Sequence, residues 1–165
     1  DNDKWKTFTG VFLDESFLIS YLTPEEYFYF IGELHSLGKE DVNAFISQFD
    51  EFFNGEVLNK NKYIRDLSKG NQKKVGIVGA LIGNPDLIIL DEPFANLDPS
   101  SQFRLKNLIR TLIADREVTI IISSHDLSHT VEISDRIIAL EKGKLIKDIQ
   151  TSEETLEELN SLFSV

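Results

Sequence analysis

The chain has 165 residues and a formal net charge of −11, with 41% hydrophobic and 27% charged residues. That length suits one ordinary domain core, and that balance is globular, not disordered. The absence of cysteine excludes disulfides, thiolate chemistry and cysteine zinc sites. The excess of acid argues against nucleic acid as a partner, because the nearest basic cluster, Lys69, Lys73 and Lys74, is too small to reverse it.

Thr7 to Leu13 is rich in β-formers and predicts a short strand. Thr23-Pro24-Glu25-Glu26 reads as a helix start: a hydroxyl cap, proline in the first turn, and acids at the positive dipole end. The helix is expected to end at Gly38. A second, from about Glu40 to Phe53, carries Val42, Phe45, Ile46, Phe49, Phe52 and Phe53 on one stripe, which predicts core or, if exposed, a docking surface.

After a polar connector, Ser68 leads into a helix running to Gly83. Then follow a strand at 87–91, a helix at about 100–114, a strand at 118–123, a short helix at 126–134 and a strand at 136–141. Continuous apolar strands in β-α-β-α-β order predict a parallel sheet covered on both faces. "EKGK" turns a hairpin into Leu145 to Ile149, and a last amphipathic helix carries Leu156, Leu159, Leu162 and Phe163. The longest apolar runs are far short of the ~20 residues that span a bilayer, and no secretory signal opens the chain. Cytoplasmic residence is therefore expected. The chain has no methionine, so it cannot start at its own start codon as written, and a piece of something longer is expected.

Four stretches carry chemistry. In "LIILDEPFANLDP", Asp91 and Glu92 stand at the end of a buried strand, where α/β sheets bind ligands. One carboxylate there can hold magnesium while its neighbour orients or deprotonates a water; the plain alternative is a strand ending in a turn. "LSKGNQKK" places a hydroxyl and a glycine at a helix start, either an anion site or merely a capped surface helix. His125, between a β-branched strand and a helix, either donates to phosphate or a carboxylate or is structural. "ANLDP" is a loop with function or a turn with Asp98 capping the next helix.

The order "LSKGNQ", "LIILDE", "ANLD", "IISSHD" resembles the ATP-binding-cassette (ABC) ATPases from about Leu67 to Asp148, and more loosely over nearly the whole chain. The resemblance implies an α/β, P-loop NTPase-like parallel sheet with helices on both faces and an inserted helical subdomain. It divides the chain into 1–23 with the first core strand, a helical subdomain at 24–66, half of the catalytic core at 67–150, and a C-terminal helix at 151–165. Ser68, Lys69, Gly70, Asn71 and Gln72 match the signature region that contacts ATP bound by the other subunit of a dimer. Asp91 matches the magnesium carboxylate, Glu92 the catalytic glutamate, Ala95 to Asp98 the loop across the dimer interface, and His125 the switch histidine near the γ-phosphate. The proline after Asp-Glu and the helical hairpin look like transporter subunits, with a transmembrane partner, ATP and Mg2+ implied, on the inner face of the membrane.

Two positions depart from the pattern. Asp14, followed by Glu15, stands where the family has glutamine or, in some exporters, glutamate, so its magnesium role by the shorter carboxylate is an open expectation. Lys69 replaces the commonest glycine, as in exporters of the two-component type. The phosphate cradle G-x-x-x-x-G-K-[ST] does not occur: Gly38-Lys39 has Glu33 at the first-glycine place and Glu40 next, and Gly143-Lys144 is followed by Leu145. The family's cradle strand and its helix would precede residue 1, making the fold incomplete. The gap is expected to be filled by another copy, closed by rearrangement, or left as an apolar edge. The chain alone is then expected to be inactive. The remaining alternatives are a naturally shortened interaction module without nucleotide chemistry and a soluble ABC-type ATPase acting on ribosomes or DNA.

Overall fold

The computed structural model describes residues 3–163; the outer ends of the 1–23 and 151–165 segments fall outside them. The chain forms two compact units, Asp1–Ser123 and Ser124–Val165. In the first, β1 (Thr9–Phe12), β2 (Leu87–Asp91) and β3 (Thr119–Ser123) form a parallel sheet in the order β1-β2-β3. The register aligns Phe12 with Leu90, and Asp91 with Ser123. Ile88 and Leu90 of the central strand are fully buried. β3 is an edge strand, with Ile121 52% exposed and no described residue paired along its outer side.

Against β1 and β2 lies α4 (Lys69–Leu81), in which every residue from Gln72 to Leu81 is buried. A helix buried all round has no amphipathic stripe to read. Its contact with the sheet is close: a Cβ on Gly10 would stand 1.8 Å from the Ala80 carbonyl oxygen, and one on Gly76 2.1 Å from the Phe12 ring. Lys73 and Lys74 are buried in this helix, so of the cluster Lys69, Lys73 and Lys74 only Lys69 is exposed. Lys74 is held by Glu56 at 3.2 Å and Lys73 by the end of β2. A buried ammonium persists only where a partner offsets its desolvation.

The 24–66 segment packs α1 (Pro24–Leu34), α2 (Lys39–Ile46) and the single turn α3 (Asp50–Phe53) around aromatic side chains. Thr23 caps α1 as expected: its hydroxyl accepts from Glu26 N, and the Glu26 carboxylate accepts from Thr23 N. α1 ends earlier than Gly38. Ser36 takes the left-handed conformation (φ 61°), Leu37 N donates to the Gly32 carbonyl and Ser36 N to that of Glu33, closing a Schellman turn. Gly38 instead opens α2, its amide donating to Asp41. The expected second helix is broken at Ser47–Phe49 by a 3-10 turn and stopped by Asn54 in the left-handed region. Its stripe is core nonetheless: Val42, Ile46, Phe49, Phe52 and Phe53 are buried, and the Phe28 and Phe53 rings stand 6.0 Å apart.

α5 (Pro99–Asp115) closes the first unit, buried at Ser101, Leu105, Lys106 and Ile109. In the second unit, α6 (Leu127–Ile133) and α7 (Thr155–Phe163) accompany a hairpin of β4 (Arg136–Glu141) and β5 (Lys144–Gln150). Lys142 and Gly143 both take positive φ, the turn that "EKGK" predicts. β4 is not a strand of the parallel sheet, as expected from the β-α-β-α-β order, but pairs antiparallel with β5 alone. Its nearest strand along the chain satisfies its backbone in place of an interior neighbour. Ile137, Ala139 and Leu159 form this unit's core, while Leu162 and Phe163 of the expected α7 stripe are exposed. No helix among the described residues is long and apolar enough to cross a membrane.

Candidate functional site at the end of the central strand

Asp91 ends β2 and Glu92 begins the turn that follows. The parallel register sets Ser123 beside Asp91, and the Ser123 hydroxyl donates to an Asp91 carboxylate oxygen. The Glu92 amide donates to the Ser123 carbonyl at 3.1 Å and to its hydroxyl oxygen at 3.2 Å. Glu92 has φ 45°, a left-handed conformation that costs a residue with a Cβ about 1–3 kcal/mol and persists only where surroundings enforce it. The enforcement is on both sides of the residue. Beyond the two Ser123 contacts, its carbonyl accepts from the buried Lys73 Nζ at 2.7 Å and from Ala95 N at 3.2 Å.

Ser68 caps α4, its hydroxyl accepting from Asn71 N at 3.2 Å and its carbonyl accepting from Gln72 N. Ser68 and Lys69 are exposed at this helix start, and Gly70 and Asn71 half-buried. The Gln72 side chain is turned inward: its amide donates to the carbonyls of Leu67 (3.0 Å) and Arg65 (3.4 Å), and its oxygen accepts from Lys69 Nζ at 3.5 Å. Gly70 lies against the next loop, since a Cβ there would meet the Asn96 carbonyl at 3.2 Å and a Leu97 methyl at 3.6 Å. The absence of a side chain thus lets the start of α4 and the 95–98 loop share one surface.

Asp98 caps α5 with four contacts, accepting from the hydroxyls of Ser101 (2.6 Å) and Ser100 (2.7 Å) and from both amides at 3.0 Å. The Ser101 hydroxyl first, then that of Ser100, holds its carboxyl far below the usual carboxylate range. Asp14, in the turn after β1, accepts from Ser16 N at 2.7 Å; the Ser16 hydrogen bonds lower its pKa, with smaller help from the charges of Lys69 and Lys73. Next to it, Glu15 lies 3.7 Å from Lys73 Nζ. His125 belongs to the second unit, one residue before Asp126, which caps α6 through His129 N at 3.1 Å; that bond is the main reason the Asp126 carboxyl is lowered.

The first unit therefore brings the 68–72 start of α4, the 91–92 carboxylates and the 95–98 loop into one contiguous region. Sequence reasoning missed Ser123 and Lys73. Ser123 was legible from the parallel register that a strand of "TIIIS" forms beside "LIILD", and Lys73 from a charge embedded in an apolar helix. Among the described residues no group of three or more His, Asp or Glu side chains is placed to hold a metal ion. Asp91 is an exposed carboxylate at a strand end, a single oxygen donor of the kind hard cations take.

A family profile described as "AAA domain, putative AbiEii toxin, Type IV TA system" matches residues 7–131. An uncharacterised ABC transporter ATP-binding protein of Methanocaldococcus jannaschii is 40% identical over 119 residues, 71% of this chain and 44% of that protein. One from Synechocystis is 31% identical over 138 residues, 83% of this chain and 39% of that protein. The energy-coupling factor transporter ATP-binding protein EcfA2 of Staphylococcus aureus is 35% identical over 61% of this chain and 35% of its own length. The chain thus spans less than half the length of these curated relatives. Among solved structures, CbiO1 of Clostridium perfringens, part of the ABC transporter complex CbiONQ, has the same fold (TM-score 0.74, 23% identity, 97% of this chain and 66% of that one). The chain belongs to the AAA-domain family, and it is similar to the ATP-binding proteins of ABC transporters.

Proposed function

We propose that these residues form the water-activating and partner-facing part of an ATP-hydrolysing site in an ABC transporter subunit. The subunit is cytoplasmic and peripheral to the membrane, and works with a second ATPase copy and a transmembrane partner. Glu92 accepts the proton of the attacking water. Asp91, steadied by Ser123, and Asp14 would hold magnesium; the ion, when bound with nucleotide, offsets charge on the transferring phosphoryl group. His125, in the second unit, would donate a hydrogen bond to a phosphate oxygen. Ser68, Lys69, Gly70, Asn71 and Gln72 form the helix start presented to ATP held by the facing copy, where amides and the positive dipole end favour phosphate. Asp98 keeps the 95–98 loop in shape against α5.

The observation that supports this reading best is the contact of Gly70 with the Asn96 carbonyl, because it joins the two motifs into one exposed face beside Glu92. The 165 residues contain no phosphate cradle of their own. Calorimetry of the 165-residue chain with Mg-ATP is therefore expected to show no micromolar binding. The full-length gene product containing these residues is expected to bind and hydrolyse it. Micromolar binding by the 165-residue chain, or no turnover by the full-length product, would sink the reading.

A further inference from the structure

Lys73 is out of place by every simple rule. It sits in the first turns of a helix that is buried from Gln72 onward, is 5% exposed itself, and stands against the Glu15 carboxylate, with Asp14 also within reach of its charge. The Lys73 and Glu15 side chains are 6% and 10% exposed, and Glu15 Oε1 has no hydrogen-bond partner. A buried ion pair of this kind adds little stability over apolar residues of the same size, so its presence asks for another reason. The donor geometry supplies one. The shorter contact of the ammonium, 2.7 Å, is not to Glu15, at 3.7 Å, but to the backbone carbonyl of Glu92.

That carbonyl belongs to the residue with φ 45°. A charged donor makes a stronger hydrogen bond than a neutral amide, and a buried one does so without competition from water. We propose that Lys73 is a positioning residue that fixes the left-handed backbone of Glu92, and so the aim of its carboxylate, with Glu15 as the counter-charge that makes a buried ammonium tolerable there. Three elements meet at this lysine: the turn after β1 through Glu15, the start of α4, and the turn after β2 through Glu92. A movement of the first turn is thereby transmitted to the glutamate through one side chain. The catalytic consequence rests on the reading of Glu92 as the base; the backbone consequence does not.

The test uses the full-length gene product with Lys73→Met and with the pair Lys73→Met/Glu15→Gln. The single change leaves Glu15 buried without its counter-charge and is expected to lower the melting temperature. The pair removes both charges and is expected to restore it. Hydrogen–deuterium exchange is then read over residues 92–97, where the amides of Glu92, Ala95 and Leu97 are all hydrogen-bonded. In the pair variant these amides are expected to exchange faster than in the wild type despite restored stability. ATP turnover is expected to fall about 100-fold with KM unchanged, the size of effect that misaiming a reacting group produces. Unchanged exchange at 92–97 in the pair variant overturns the proposal, and so does turnover that recovers together with stability. A wild type without ATP turnover sinks the function proposed above, while the exchange measurement still decides the role of Lys73.

Discussion

Replacing Glu92 by glutamine in the full-length protein is expected to lower ATP turnover by about 10²–10⁴-fold, the range that loss of a general base produces, with KM little changed. Glutamine matches glutamate in size, and the hydrogen bonds that hold the backbone here are made by the amide and carbonyl of the residue, which the change leaves in place. The amide is held by the Ser123 carbonyl and hydroxyl, and the carbonyl by Lys73 and Ala95. The strained turn is therefore expected to survive the change while the proton acceptor is lost. Steady-state turnover at saturating Mg-ATP is the measurement; a fall of less than tenfold would assign the base elsewhere. Ser123 links the two residues, donating its hydroxyl proton to the Asp91 carboxylate while accepting from the Glu92 amide.

The second large effect lies in the helical segment. Phe28 is fully buried, with Tyr27 and Phe53 rings each 6.0 Å from its own. Phe28→Ala is expected to destabilise the chain by about 3–5 kcal/mol, transfer and cavity terms together, against a total that for such domains is about 5–15 kcal/mol. Urea unfolding measures it, and a loss below about 1 kcal/mol would mean that the cavity collapses without penalty. The damage should not stay local. Tyr27, next to Phe28, closes on Gly79 of α4 so tightly that a Cβ there would stand 2.7 Å from its ring, and Glu56 in the same segment holds Lys74. Loosening α1 therefore frees the helix whose start carries Ser68 to Gln72.

What was legible in the sequence follows from what local chemistry determines. The strand "LIILD" is bounded at Leu87 and Asp91 because β-branched and apolar residues give way there to proline, asparagine and acid, and these signals lie within the stretch itself. The Thr23-Pro24 cap and the "EKGK" turn were readable for the same reason. The end of α1 was not. A serine takes the left-handed position that glycine usually fills, and only the fold around Leu37 explains why. Whether β4 joins the sheet depends on an interior neighbour, which no local pattern reports.

The site divides in the same way. The motif order pointed to Asp91, Glu92, Asp98 and the 68–72 helix start, and the cap roles of Ser68 and Asp98 were readable from residue type. The φ of Glu92 and the burial of Lys73 were not, because both are created by partners that are distant along the chain. A lysine counted by composition is a surface charge; the same lysine placed against a backbone carbonyl and a glutamate is part of the interior.

The proposed function requires the 68–72 and 95–98 face to close on nucleotide held by another copy. It is tested most directly by sedimentation of full-length Glu92→Gln protein with and without saturating Mg-ATP. Nucleotide that contacts both copies stabilises their pairing by mass action, and a variant that does not consume it holds the pair together. A dimer is expected with Mg-ATP, and it is expected to dissociate when nucleotide is removed. A monomer under both conditions, in a protein shown to be saturated with ATP, would contradict it.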